Sequence, residues 1–231
     1  MRVNSWCPPF TPMASVVVPA QSGDVVLDTF TLSEEEAHLG NLRALINGHA
    51  DMAVNPGEYA RLRRNGSLWM TDTPAERLSN LDFLYAARGD VLVLGLGIAM
   101  LPTAMHAKEG VSSITVVEID PDVIAALAPT LARAAPSVRV VEGDAFLPER
   151  SDLHPHSFDV IVADIWPSIS PEDYPEHIAV RRAWRKWLRP GGAHLTWQEQ
   201  YVKRAHHEER CWMEPSARER ATKLLRERRM S

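Results

Sequence analysis

The sequence predicts an α/β protein with a doubly wound, mostly parallel sheet and a small mixed or helical N-terminal cap. Two observations carry this. From Val91 onward, apolar runs of strand length alternate with helical segments. Acidic residues also stand at the ends of three successive runs, where ligands bind in open α/β sheets.

The runs are Val91–Leu94, Ile114–Val117, Val138–Val141, Asp159–Ala163 and His194–Trp197. Most are continuously apolar, as strands are when helices cover both faces of a sheet. Helical patterns fall near residues 99–108, 121–134 and 172–188, and right-handed crossovers then give a Rossmann-like sheet. No antiparallel pair of last strands has an evident source, because the residues after Trp197 are charged and helical in pattern. An open sheet edge suggests a homodimer.

The first 90 residues lack this alternation. Val16–Val18 and Val25–Phe30 flank Gln21-Ser22-Gly23-Asp24 as a hairpin. Ser33 and Glu36 form a capping box for a helix whose apolar face is Leu39, Leu42, Leu45 and Ile46, with Gly48 as its stop. Pro56 opens a second helix that Asn65-Gly66 ends. Thr73, Pro74 and Glu76 open a third, which buries Leu78, Leu81, Leu84 and Tyr85 and closes at Gly89. The expected division is a cap over 1–89, a nucleoside-binding domain over 90–200 and a charged helical tail over 201–231.

The chain has 231 residues, 45% of them hydrophobic, and a net charge of −5. That balance argues against a nucleic-acid partner. No run of 18 apolar residues and no leader-like segment occurs, so no membrane partner is expected. Cys7 and Cys211 have no metal-type spacing and suggest a reducing, cytoplasmic setting. His206-His207 near Cys211 reads as a charged helix, so no metal is expected. Trp184, Trp187 and Trp197 read as core or interface, and Arg218 to Arg229 as a solvated terminal helix.

Gly95-Leu96-Gly97 follows the first strand directly, which lets the backbone turn sharply before a helix N-terminus. Glu118 lies 21 residues beyond Gly97, placed to accept hydrogen bonds from ribose hydroxyls. Asp120 caps the helix that Pro121 starts. Asp144 can accept from an adenine amine, and Asp164 closes the fourth strand.

These stretches, VLVLGLGIAM, VVEIDPDVI, VVEGDAFL, FDVIVADIW and LRPGG, resemble the class I S-adenosylmethionine-dependent methyltransferase superfamily, and within it the spermidine-synthase-like branch. The resemblance implies that Gly95 and Gly97 approach the methionine part of the cofactor, that Glu118 holds its ribose, and that Asp144 and Ala145 frame its adenine. It places Asp164 where aminopropyl-transferring members orient and deprotonate the attacking amine. Ile98 stands where those members carry an acidic residue, which favours methyl transfer. The expected activity is methyl transfer from S-adenosylmethionine to a small-molecule acceptor, with Trp166, Tyr174 and His177 lining the acceptor pocket. The alternatives are aminopropyl transfer from decarboxylated S-adenosylmethionine, an NAD-dependent oxidoreductase, and a non-catalytic nucleoside-binding protein.

Overall fold

A computed structural model describes residues 10–46, 53–150 and 152–212. Five parallel strands form the central sheet: β5 (Gly89–Leu94), β6 (Val111–Glu118), β7 (Arg139–Glu142), β8 (Phe158–Ala163) and β9 (Leu188–Thr196), in the order β7-β6-β5-β8-β9. The chain starts this sheet at its centre and reverses direction between β7 and β8. That reversal makes a crevice at the carboxyl ends of β5, β6 and β8. Val91 to Leu94 are all buried, because helices lie on both faces.

Before the sheet come β1 (Ala20–Ser22), β2 (Val25–Leu32), α1 (Glu34–Ile46), β3 (Gly57–Arg64), β4 (Ser67–Thr71), α2 (Pro74–Ser79) and α3 (Leu81–Ala86). Helices α4 (Met100–His106), α5 (Pro121–Ala134) and α6 (Tyr174–Trp184) cross between the parallel strands, and α7 (Glu199–Trp212) follows β9.

The N-terminal region departs from the sequence reading. Strands β1 to β4 form an antiparallel sheet in chain order, so the cap is mixed, this sheet together with α1, α2 and α3. The segment expected as a second helix is the β3–β4 hairpin. Asn65 and Gly66 form its two-residue turn, both with positive φ (49° and 76°), the geometry that joins twisted strands without splaying them. The expected first strand is shifted: residues 13–15 form a 3-10 turn and β1 starts at Ala20. The third helix breaks at Asn80 into α2 and α3, which leaves Leu78 and Tyr85 exposed. Thr73 makes no side-chain cap, so the second capping box is absent. The first is present: Glu36 N–H donates to Ser33 Oγ (3.2 Å) and Ser33 N–H to Glu36 Oε2 (2.9 Å). The apolar face of α1 is exposed, Leu45 and Ile46 by 64% and 74%. Gly48, Cys7 and Arg218 to Arg229 lie outside the described residues.

One core joins the two sheets. Val25, Leu27, Ala60 and Leu62 of the N-terminal sheet pack in the same cluster as Ile98, Ala126, Leu127 and Val91. Helix α5 is the interface element, burying Val123, Ala126, Leu127, Thr130 and Leu131 along one stripe. Asp120 caps it as expected, its Oδ1 accepting from Asp122 N–H at 2.9 Å, while Oδ2 takes Arg64 of β3 at 2.6 Å. Thr130 Oγ1 accepts the Val18 N–H at 3.0 Å. Trp184 and Trp187 are buried on the opposite face, as expected.

The fully buried Asp72 carboxylate holds the N-terminal elements in place. It accepts the N–H of Met13 and of Ala60, both at 2.7 Å, and the Arg77 guanidinium at 2.7 Å. Removing one partner of a buried ion pair strands the other charge. Asp72→Ala should therefore lower unfolding stability by about 3–5 kcal/mol in urea denaturation. A loss under ~1 kcal/mol would show that the network is dispensable.

Candidate functional site

The glycine loop between β5 and α4 has three residues in the left-handed region: Gly95 (φ 96°), Gly97 (φ 52°) and Ala99 (φ 61°). Two bonds tie it to its neighbours. Gly95 N–H donates to Val117 C=O at 2.8 Å, and Asp164 N–H to Leu94 C=O at 2.9 Å. A Cβ on Gly95 would lie 2.3 Å from the Asp164 carbonyl oxygen, and one on Gly97 would meet Met70 Sδ at 2.6 Å. Both glycines are thus required by protein contacts: one by the backbone after β8, the other by β4, which roofs the loop. Gly95→Ala should lose about 2 kcal/mol more stability than Gly97→Ala, since backbone cannot move aside and a thioether can. Equal losses in urea denaturation would refute that ranking.

Glu118 ends β6 beside this loop. Its Oε2 accepts the Leu96 N–H at 2.8 Å and its Oε1 the Asp120 N–H at 3.0 Å. The carboxylate thus fixes the glycine loop and keeps further acceptor capacity on both oxygens. Gly143 N–H donates to Glu118 C=O at 2.9 Å, which places the next strand end alongside. Asp144 Oδ1 accepts the Phe146 N–H at 2.8 Å, and Ala145 C=O accepts Trp184 Nε1–H at 2.7 Å. Gly95, Gly97, Glu118, Asp144, Ala145 and Asp164 therefore all lie at or just beyond the carboxyl ends of β5, β6, β7 and β8.

Apolar residues that the sequence reading passed over stand on the same rim. Ile119 follows Glu118 and is 64% exposed, and Phe146 and Leu147 are also exposed. Their signal was available: each follows closely on an acidic residue at a strand end.

Asp164 has neighbours that its own sequence context does not show. Burial pushes its carboxyl up to about 7, the nearby Glu76 charge adds to this, and a hydrogen bond from Asn80 opposes it. Burial also raises Glu76. Both acids are partly exposed as whole residues, and their carboxyl groups face inward. Glu76 lies in the first turn of α2 and Asn80 at the break between α2 and α3, so the residue expected as half of a capping box stands near Asp164 instead. The α2 end is fixed by Trp197 Nε1–H, which donates to Ser79 Oγ at 3.1 Å.

Trp166 and His177 do not line an open pocket. They are 8% and 1% exposed, and their rings stack at 3.6 Å with an interplanar angle of 6°. Trp166 Nε1–H donates to Glu176 Oε2 at 3.1 Å, and His177 Nδ1 pairs with Thr196 Oγ1 at 2.8 Å. Burial lowers His177, and its stacked partner Trp166 lies two residues beyond Asp164. Tyr174 lies farther out, its ring 5.3 Å from that of His206. Among the described residues no group of three metal-ligating side chains occurs. No helix of the described residues is long and apolar enough to cross a membrane.

No family model matches the chain, and no curated protein matches it. Solved structures do align with it. A candidate sarcosine dimethylglycine methyltransferase from Galdieria sulphuraria shares 20% identity over 53% of this chain and 47% of its own, with a TM-score of 0.41. Fibrillarin from Aeropyrum pernix, solved with natively bound S-adenosyl-L-methionine, shares 23% over 59% of this chain and 67% of its own, at 0.40. TrmN from Thermus thermophilus shares 19% over 58% and 41%, at 0.44. The chain spans less than half the length of the Galdieria and Thermus proteins.

A carboxyl raised in the folded state binds its proton more tightly there than in the unfolded chain. Its stabilising contribution is complete below about pH 4 and is lost as pH rises through about 7. Wild-type stability relative to Asp164→Asn should therefore fall between about pH 4 and pH 8. A pH-independent difference in urea midpoints would mean that the carboxyl titrates in its ordinary range.

Proposed function

We propose that the chain is an S-adenosylmethionine-dependent methyltransferase acting on a small-molecule acceptor. One observation carries this: Glu118, Asp144 and Asp164 stand at the carboxyl ends of β6, β7 and β8, with Glu118 bonded to the glycine loop of β5, the strand between β6 and β8. The residues fit the group. Glu118 has acceptor capacity left for a ribose diol and Asp144 for an exocyclic amine. Ile119 and Phe146 offer apolar surface to a flat ring. Gly95 and Gly97 hold the loop that would face the methionine end.

When bound, S-adenosylmethionine supplies an electrophilic methyl carbon on a sulfonium centre. The chain's own task is then orientation of the acceptor and removal of its proton. Asp164 is the base of this reading, because a carboxyl that titrates near 7 can both take and release a proton at neutral pH. Trp166 and His177 support the loop that carries it.

Calorimetric titration with S-adenosylmethionine, its decarboxylated form and NAD tests this directly. Preference for S-adenosylmethionine is expected. Preference for the decarboxylated form would favour aminopropyl transfer, and binding of NAD alone, or of none, would overturn the proposal. Glu118→Ala should weaken S-adenosylmethionine binding by about 1–3 kcal/mol, the scale for hydrogen bonds to a charged group. Unchanged affinity would remove Glu118 from the site.

A further inference from the structure

A surface helix of a globular domain turns its apolar stripe toward the core. Helix α1 does the reverse. Its inward positions are Ala37, Asn41 and Ala44, at i, i+4 and i+7, the first buried and the others half-buried. Asn41 ties the helix to the segment before β3: its Nδ2 donates to Val54 C=O at 2.8 Å, and its Oδ1 accepts the Val54 N–H at 2.7 Å. The opposite side carries Leu39, Leu42 and Ile46, at i, i+3 and i+7, with Leu45 beside them. Leu39 and Leu42 are 45% and 46% exposed, and the last two are more exposed still. An aliphatic stripe of this length turned outward marks an interaction surface. A helix of 13 residues is marginal on its own backbone bonds, so what packs on that stripe matters to its stability.

Charge selects the occupant. Glu36 and Arg43 stand seven positions apart, two turns along one flank of the stripe. That is about 10 Å of helix, too far for them to pair with each other. Neither has an opposite charge three or four positions away on α1. Arg43 forms no ion pair among the described residues, and the bonds from Ser33 to Glu36 use Oε2 alone. In an antiparallel pair of identical helices about a two-fold axis, each flank meets itself in reversed order. Glu36 then lies beside the partner's Arg43, and Arg43 beside the partner's Glu36. A parallel pair would set like charges together. The midpoint between Glu36 and Arg43 falls within one residue of the midpoint of α1, so the register that pairs the charges also overlaps the two stripes along their whole length.

We propose that α1 is a homodimerisation helix, its outward stripe packed antiparallel on the same stripe of a second copy of the chain. Leu39, Leu42, Leu45 and Ile46 supply the affinity through burial of apolar surface. The two Glu36–Arg43 pairs lie at the rim, where exposed ion pairs contribute little, and they set the direction of pairing instead.

Sedimentation velocity on the full-length protein tests this over a range of concentrations up to about 0.1 mM, the scale for an interface of modest affinity. The wild type should sediment as a dimer at the upper end. Leu42→Glu and Ile46→Glu should each weaken association at least tenfold. Both positions are solvent-exposed, so the variants should keep the wild-type circular dichroism spectrum, and Ile46→Glu keeps the test open if Leu42→Glu does not fold. Arg43→Glu should weaken association at least threefold, and Glu36→Arg combined with Arg43→Glu should restore it, which a merely structural role for either residue would not produce. A wild type that stays monomeric throughout, as when another part of the same chain covers the stripe, would overturn the proposal. So would a dimer that both Leu42→Glu and Ile46→Glu leave intact, or one that the charge reversal at Arg43 leaves unchanged.

Discussion

The Asp72 carboxylate is the constraint on which the geometry of the site depends. It has no contact with solvent and bonds to three separate parts of the chain: the segment at Met13, strand β3 and the first turns of α2. Each bond is charge-assisted, and the low surrounding dielectric strengthens all of them. By fixing Arg77 it fixes α2, and so sets where Glu76 and Asn80 stand. The bond from Trp197 to Ser79 pins the same helix from the far side. Helix α2 has only six residues and could not hold its direction through its own backbone bonds.

Glu118 shows how one side chain serves fold and site together. Two backbone amides from the glycine loop and the α5 entrance converge on it. They orient the carboxylate while leaving lone pairs unused, which is the preorganisation that a ligand-binding acceptor needs. The glycines work differently from the simple expectation that small residues admit a ligand. Gly95 makes room for the backbone after β8, and Gly97 for Met70. The N-terminal sheet is therefore part of the crevice wall.

The parallel sheet was legible from Val91 onward because its central strands carry unbroken apolar runs, Val91–Leu94 and Val160–Ala163, whose burial on both faces leaves no competing period. The acidic strand ends were legible for the same reason: once the strands are placed, the residues after them are placed. The N-terminal region was misread at Pro56 to Gly66. Its arginine-rich strand reads as polar on both sides, and Asn65-Gly66 was taken as a helix stop although it is equally a hairpin signal. The aromatic residues after Asp164 were expected at an open pocket, and Trp166 and His177 are interior. Sequence proximity to Asp164 said nothing about which side of the loop each ring occupies. Glu76 and Asn80 were hidden because their partner lies more than 80 positions away, and no local pattern encodes that contact.

Asp72 and Lys108 show how completely a charged group is matched where it serves stability. Asp72 has three donors, and Lys108 Nζ donates to the carbonyls of Leu84, Tyr85 and Ala87 at the end of α3. The Asp164 carboxyl has no such match: burial and the nearby Glu76 charge both raise it, and it forms no ion pair among the described residues. A sequence selected only for stability would place an arginine or an apolar side chain there, since either removes the conflict. A buried carboxyl without a cation is the kind of local conflict that functional sites carry, where free energy of folding is sacrificed for interaction with something that comes and goes.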